Sequence, residues 1–473
     1  MRTILIYNGA TKRICRPMRK FARTLHLWTG LVFGTILVLL GLTGSVLSWI
    51  HELDASLNPG LLRVAAPFGL RTGDALRVDP ALIQAVADQL ARNPRYGTPN
   101  TLELPARAGD VFVAWYRPAP GRATASWIQP VTRQVMVDPA NLAVTGERGW
   151  GEVGLSRPLL MPTLFHVHRY LVAGETGKVV VAIAGAALLL TVLTGMVVWW
   201  PRMVRSAIWR AVTVRHGGSW PRFSFQLHRA GGFFAAPLLL VSALSGVHFN
   251  MPHWVTPLVN VVSPVTPRGP LLNQSSHKGA GTSVASAIIA AHKLFPDARM
   301  TRVSFPANRR QPFEIRVRQP AELRQGPGAT RISIDSGDAR VLRVIDPERA
   351  RGGDQFLSWL FPLHTGEAFG LAGRIFVSLF GFIPLVFFVT GLVIWIKLRA
   401  AKTGFESMIL RTLAPAPKLV PITARRWRRY VNSTLIAFFQ IEVVHHRRTF
   451  PVAGIERGHG VTAANEREFD PDI

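Results

Sequence analysis

The stretch FPLHTGEAFGLAGR, residues 361–374, stands ahead of a long apolar run and sets a histidine before two glycines and an arginine at fixed intervals. The chain uses the same device earlier, in FHVHRYLVAGETGK at 165–178. With His168 laid on His364, Gly174 falls on Gly370, Gly177 on Gly373 and Lys178 on Arg374. Both copies continue to a Thr-Gly pair (Thr194-Gly195, Thr390-Gly391) and then to Trp199 or Trp395. A second pattern links two other segments: Leu25, His26, Gly30, Thr43 and Gly44 answer to Leu227, His228, Gly232, Ser245 and Gly246. Self-similarity on this scale predicts a duplicated architecture. Each half reads as an apolar helix, an outer module and a returning apolar helix.

Composition agrees with membrane spans. The 473 residues are 48% hydrophobic and 17% charged. The formal charge of +28 raises the question of nucleic acid, but its distribution points elsewhere. Residues 1–24 hold Arg2, Lys12, Arg13, Arg16, Arg19, Lys20 and Arg23 with no acid, and the loop 201–222 holds five arginines with no acid. Segment 52–163 is close to balanced, with eleven Arg and ten Asp or Glu. That asymmetry is the positive-inside pattern of a polytopic membrane protein, and no nucleic-acid partner is expected. Cys15 is the only cysteine and there is no CxxCH, which excludes an intramolecular disulfide, a Cys-ligated zinc or iron–sulfur centre within one chain, and a c-type haem.

Four apolar runs reach the ~20 residues needed to cross the hydrocarbon layer. The expected fold class is an α-helical polytopic membrane protein with four transmembrane helices in two tandem repeats, each with a small α+β domain. The expected division is a basic N-terminus (1–24), span one (25–50), a first outer module (51–165), an outer histidine segment with span two (166–200), a basic loop (201–226), span three (227–250), a second outer module (251–360), an outer histidine segment with span four (361–396), and a basic tail (397–473). Span one is read as an uncleaved anchor because it belongs to the repeat. Within the tail, RRWRRYVNSTLIAFFQIEVVHHRR reads as an interfacial helix. Each outer module reads as one helix followed by strand, turn and strand.

Both halves begin on the inner side, so a pseudo-twofold axis along the membrane normal is expected to place equivalent residues at equal depth. His26 and His228 then fall at the inner face, and His168 and His364 at the outer face. An ionisable side chain at a span is costly and marks a functional site. Neutral imidazole is a strong axial ligand, and a b-type haem with two His ligands takes one from each side of its plane. Zinc wants three or four ligands at one depth, where the inner face offers two clear ones. His166 is a rival or supporting group beside His168, and His51 and His253 match each other across the repeat. His248 in span three has no counterpart, Val46 holding that place.

On straight helices His168 and His364 stand roughly 15 Å outside the apolar runs, so the outer site lies at the membrane surface or the segment bends back. The repeated glycines of the spans read as packing positions, with room for a flat macrocycle as a compatible second reading. Arg229 and Arg169 directly follow ligand candidates, and guanidinium geometry suits haem propionates; a topological role is the alternative for both.

The motifs LHLWTG, LHRAGG, HRY..GE.G and LHTGEAFG, joined to helix-plus-sheet modules, resemble the PepSY-associated transmembrane family over roughly residues 20–400. That family includes ferric-siderophore reductases of the bacterial inner membrane. The resemblance implies four spans, PepSY-type periplasmic domains and b haems, two being expected here, carrying electrons outward; the basic loops by themselves put both termini in the cytoplasm. Carried over by motif, the axial ligands are His26, His228, His168 and His364. The implied substrate is a ferric siderophore or other ferric chelate. No nicotinamide or flavin domain is visible, so the electron donor is a cytoplasmic protein, a quinol or a small reductant. Arg309, Arg310, Arg316 and Arg318, or Trp115, Tyr116 and Trp127, are the docking candidates. A second reading makes the chain a membrane-anchored PepSY-domain protein that restrains a peptidase or senses a ligand without redox activity.

Overall fold

The computed structural model describes residues 2–65, 77–118, 125–201, 203–215, 217–267, 269–275 and 281–413, with side chains described from Pro17 to Ala401. The side chains of the basic segment up to Arg16, and the expected interfacial helix of the tail, lie outside the described residues. The first half runs α1 (Arg2–Leu47), α2 (Ile50–Leu57), α3 (Pro59–Leu62), α4 (Pro80–Arg92), β1 (Thr101–Glu103), β2 (Phe112–Tyr116), β3 (Thr132–Val137), β4 (Val144–Trp150), α5 (Arg157–Tyr170) and α6 (Gly174–Trp199). After α7 (Arg205–Val212) come α8 (Trp220–Asn250), α9 (Pro252–Val262), α10 (Val284–Leu294), β5 (Arg299–Ser304), β6 (Phe313–Arg318), β7 (Thr330–Ile334) and β8 (Val341–Ile345). The chain then forms α11 (Gly352–Thr365), a 3-10 turn (Glu367–Phe369), α12 (Gly370–Phe380) and α13 (Ile383–Leu413).

Four helical stretches are long and apolar enough to cross a membrane: Pro17–Leu47, Gly174–Trp199, Trp220–Asn250 and Glu367–Ala401. Their outward faces expose Val32, Leu39, Ile183, Leu193, Phe376 and Leu379, an apolar surface suited to lipid rather than water. Small residues set the helix contacts, as expected in lipid. A Cβ on Gly185 of α6 would lie 3.0 Å from Val247 of α8, and one on Gly34 or Gly41 of α1 would collide with Phe388 or the Gly381 carbonyl of the last span.

The strands of the two outer modules pair with each other, which the sequence reading left open. Strands β1 and β5 pair antiparallel, Leu102 opposite Val303, and join both sets into one eight-stranded antiparallel sheet ordered β4-β3-β2-β1-β5-β6-β7-β8. The reason is the edge: unpaired, β1 and β5 would each expose a row of backbone donors and acceptors. Helices α4 and α10 cover one face, where Ile83, Val86, Leu90, Ala287 and Ile288 pack on Leu102, Phe112, Val135, Val303, Ile315 and Ile332. Helix α4 starts cleanly because Asp79 caps it, accepting from the Ala81 N–H at 2.9 Å, with Pro80 at its first position.

The opposite face looks toward the helices attached to the spans. Arg148 on β4 holds Asp54 on α2 through two hydrogen bonds of 2.9 and 2.7 Å, and also reaches the Pro158 carbonyl of α5 at 3.1 Å. Trp150 packs on Phe165 and His166 of α5. This ties the sheet to the segment that carries His168.

That segment bends back. Helix α5 ends in two left-handed residues, Leu171 (φ 47°) and Val172 (φ 56°), and Gly174 (φ 52°) starts the span. A Cβ on Gly177 would collide with the Tyr170 carbonyl oxygen, and one on Gly373 with the Gly366 carbonyl oxygen. The two glycines after each histidine therefore serve a reversal of the chain, which a continuous helix would not need.

Candidate functional site

The reversal brings His168 and His364 level with the sheet-side ends of α1 and α8, the second of the two alternatives the spacing left open. A straight helix cannot return a side chain to that depth, but a turn at residues 171–174 can. His168 meets Thr43 of α1, and His364 meets Ser245 of α8. Their ring centroids lie 6.5 Å apart. Toward the other end of the bundle, His26 of α1 and His228 of α8 face each other with centroids 6.0 Å apart and planes at 88°. Four positions separated widely in sequence thus form two pairs at two levels.

Hydrogen bonding sets the tautomer of each ring. Thr43, Ser245 and Thr390 donate their hydroxyl protons to the carbonyls of Leu39, Val241 and Val386, at 2.7, 2.6 and 2.7 Å. Each hydroxyl then accepts from a histidine Nδ1–H: His168 at 3.0 Å, His364 at 2.6 Å and His228 at 2.9 Å. The Nδ1–H of His26 donates to the Thr191 carbonyl at 2.9 Å. With the proton held on Nδ1, every Nε2 keeps its lone pair. Burial pushes the His168 and His364 pKa values down to about 4, so these imidazoles are neutral near pH 7.

Glycines give the rings their space. A Cβ on Gly44 would lie 3.0 Å from His168 Cε1, one on Gly195 3.0 Å from His26 Cε1, and one on Gly391 3.4 Å from His228 Cε1. By contrast, a Cβ on Gly30, Gly232 or Gly246 would have no heavy atom within 4 Å. These last three are therefore not helix-packing positions among the described residues; they border open space. Gly30 and Gly232 stand one turn beyond His26 and His228.

The geometry fits a metal held between imidazoles. Two rings on opposite sides of one iron, with metal–nitrogen bonds of about 2 Å, hold their centroids about 6 Å apart. Both pairs have that spacing. Among the described residues no three His, Cys, Asp or Glu side chains gather, so each level offers two nitrogen donors only. Two donors at each level suit a planar tetradentate ligand supplying the rest of the coordination, as in a b-type haem.

The other candidates are placed elsewhere. His166 is buried in an aromatic cluster, stacked on Tyr170 at 5.4 Å with its Nδ1–H donated to the Pro162 carbonyl at 2.7 Å, and burial pulls its pKa to about 4. It faces Trp150 rather than His364. His248 lies beside Phe249, and it is Phe249 that packs on His364 at 5.4 Å. His51 and His253 are exposed. Arg169 is buried with its guanidinium 5.4 Å from the Tyr170 ring centre. Arg229 donates to the Arg210 carbonyl and lies 5.5 Å from the Phe225 ring centre. The matched pair Lys178 and Arg374 diverges: Lys178 pairs with Glu175 at 3.1 Å, and Arg374 with Glu52 at 2.8 Å and the Ser48 carbonyl at 2.7 Å. Trp115 is buried against Trp150 and cannot serve as an exposed aromatic face, whereas Trp127 is exposed.

Sequence reasoning passed over Thr43, Ser245 and Thr390 as anchors of the rings. The signal was present in the repeated Thr/Ser-Gly pairs, where the glycines drew attention and the hydroxyls did not.

These features define a membrane protein of four apolar helices with paired histidines at two levels and an attached β-sheet. The chain belongs to the family described as the PepSY-associated TM region, whose model matches residues 23–397. No curated protein matches the chain.

Proposed function

We propose that the protein carries electrons across a membrane and reduces a ferric chelate, a ferric siderophore or a similar iron complex. In this reading the halves are tandem repeats, the sheet lies in the periplasm, both termini lie in the cytoplasm, and the membrane is a bacterial inner membrane. His26 and His228 hold one b-type haem, and His168 and His364 hold another. Bound there, the cofactor supplies reversible one-electron chemistry at both levels.

The chain's own residues do the rest. Thr43, Ser245, Thr390 and the Thr191 carbonyl keep the Nδ1 protons and leave each Nε2 lone pair available, the role that hydrogen-bonded groups behind metal-ligating histidines usually fill. The lipid-facing apolar side chains keep water away from the far pair. Each Fe(III) of the chelate takes one electron and becomes Fe(II), the electron coming from a quinol or a cytoplasmic reductant. Hard oxygen chelators hold Fe(II) less tightly, so reduction loosens the complex.

The observation that carries this reading is the pair of histidine–histidine separations, 6.0 and 6.5 Å, at two levels of one helical bundle. A visible spectrum of the purified protein tests it. A Soret band that shifts on reduction and sharpens into α and β bands is expected. A colourless protein after expression with ample haem would remove the electron-transfer reading.

A further inference from the structure

The short helices that follow the two outward-running spans have opposite surfaces. Helix α2, after α1, is held by charge: Glu52 pairs with Arg374 of α12 at 2.8 Å, and Asp54 with Arg148 of β4 at 2.7 Å. Aligned on His51 and His253, Trp254 of α9 stands for Glu52 and Thr256 for Asp54. Helix α9, PHWVTPLVNVV, holds no Asp, Glu, Lys or Arg, so it can make neither ion pair. Its surface is apolar instead. Trp254 is 40% exposed, Leu258 69%, Val261 85% and Val262 88%. Their i, i+4, i+7 and i+8 spacing puts them on one face. In helix α11, Phe356 and Trp359 are exposed one turn apart. Aligned on the outer histidines, Trp359 stands for Thr163, which is buried and accepts from the Gly154 N–H at 2.9 Å. A bare apolar surface of this kind marks a contact site.

The path of the chain says what that contact is. Helix α8 stops at Met251 (φ −132°, ψ 69°), and Pro252 opens α9. Helix α11 closes a triangle with these two. At one end His364 meets Ser245 of α8 at 2.6 Å, and at the other Gly352 lies so close to Ser263 that a Cβ would collide with its hydroxyl. The helical rise sets Gly352 and His364 about 18 Å apart. Ser245 and Ser263 come about 19 Å apart if the chain turns through a right angle at Met251, against about 27 Å on a straight path. The turn fits the closed triangle, so α9 runs across the end of its span, along the plane in which the spans emerge. Through α11 the bare surface continues to Phe369 and Leu371, exposed where the fourth span begins.

We propose that α9, with Phe356 and Trp359 of α11, lies in the interfacial layer of the bilayer that the spans cross, its bare face set among phospholipid headgroups and upper acyl chains. A ring with one polar edge, such as that of Trp254, suits that layer, and apolar burial alone draws an uncharged helix into it. This contact depends on the spans and stands apart from the electron-transfer reading. The two halves then have different supports, ion pairs under the first and lipid under the second. Because α11 leads into His364, the lipid-borne layer also sets the height of that ring.

Nitrobenzoxadiazole labels at single cysteines test this in the full chain, held in phosphatidylcholine nanodiscs with Cys15 replaced (C15S). Labels at L258C and V262C are expected to lose fluorescence to lipid nitroxides near the headgroup, less to nitroxides near the acyl-chain end, and little to aqueous iodide. R92C, on exposed α4 over the far face of the sheet, is the control and should respond to iodide alone. Replacing part of the phosphatidylcholine with phosphatidylglycerol should leave the two α9 signals unchanged, since the helix carries no Lys or Arg. Iodide quenching of L258C and V262C equal to that of R92C would overturn the proposal, because the helix would then stand in water. Shielding from both iodide and lipid nitroxides would overturn it too, placing a second copy of the chain on this face. So would a requirement for phosphatidylglycerol, or stronger quenching from the acyl-chain end than from the headgroup. Agreement between the two labelled positions separates a property of the helix from a local effect of one label.

Discussion

Thr43 Oγ1 lies 3.0 Å from His168 Nδ1 across 125 residues of chain, and Ser245 Oγ makes the same contact with His364 Nδ1 at 2.6 Å. Since each hydroxyl proton already goes to its own helix, the hydroxyl can only accept, and the imidazole must carry its proton on Nδ1. Replacing Thr43 with Val orphans that N–H. Loss of such a supporting partner costs about 10–100-fold in metal affinity. T43V is expected to lose sheet-side haem on dilution or gel filtration while the far haem stays, and T43S to behave as the native protein. Equal retention in T43V and native protein, measured by pyridine haemochrome, would contradict this.

The glycines allow a sharper distinction. Gly44 and Gly195 touch histidine rings, so G44A and G195A should displace a ligand, each removing about half of the haem, one bis-His site of two. G30A and G232A meet no heavy atom within 4 Å in the protein alone. They should leave thermal stability without cofactor unchanged, yet reduce haem occupancy at the far level. If G30A and G232A load haem as well as native protein, the gap beside them is not the cofactor's.

Gly177 has a different task. Its missing Cβ lets the Tyr170 carbonyl approach where α5 reverses into α6. G177A overpacks a buried turn, at a cost of roughly 1–3 kcal/mol, and should disturb the sheet-side pair before the far pair. Resonance Raman or redox titration of the remaining haem would show the far site intact. Equal loss at both levels would indicate a global defect instead.

Arg148 and Asp54 form a buried ion pair, with side chains 5% and 9% exposed. Removing one partner leaves a buried charge, at a cost of about 3–5 kcal/mol, whereas replacing both with apolar residues of similar size is often neutral. D54A and R148A should lower the unfolding temperature markedly, and D54L/R148M should recover much of the loss. A thermal melt of the solubilised protein followed by tryptophan fluorescence measures this.

His166 is a neighbour of the site rather than a ligand. H166F keeps the stacking against Tyr170 and Trp150 and should retain the full haem spectrum, as should H51A and H253A at the exposed positions. Loss of haem in H166F would return it to the ligand set.

Much of this was legible in the order of residues. Apolar runs of membrane length are read by counting, because lipid leaves a spanning chain little choice but a helix. The four histidines stood out because each recurs with a glycine and a Thr/Ser-Gly pair in register, as His26, Gly30 and Thr43-Gly44 do with His228, Gly232 and Ser245-Gly246. That the two strand sets share one sheet was not legible, because β1 and β5 carry the same alternation whether they stand at two edges or pair with each other. Strand pairing is a long-range choice, and alternation records only which face is buried.

By itself, then, the sequence determined the spans, the family and which histidines belong together, because helix length and repeat register are local properties of the chain. Tertiary structure alone decided the depth of His168 and His364, the proton on each Nδ1, and the joining of the sheet at Leu102 and Val303. Those depend on a reversal after Tyr170, on hydroxyls contributed by other helices, and on strand register, none of which neighbouring residues encode.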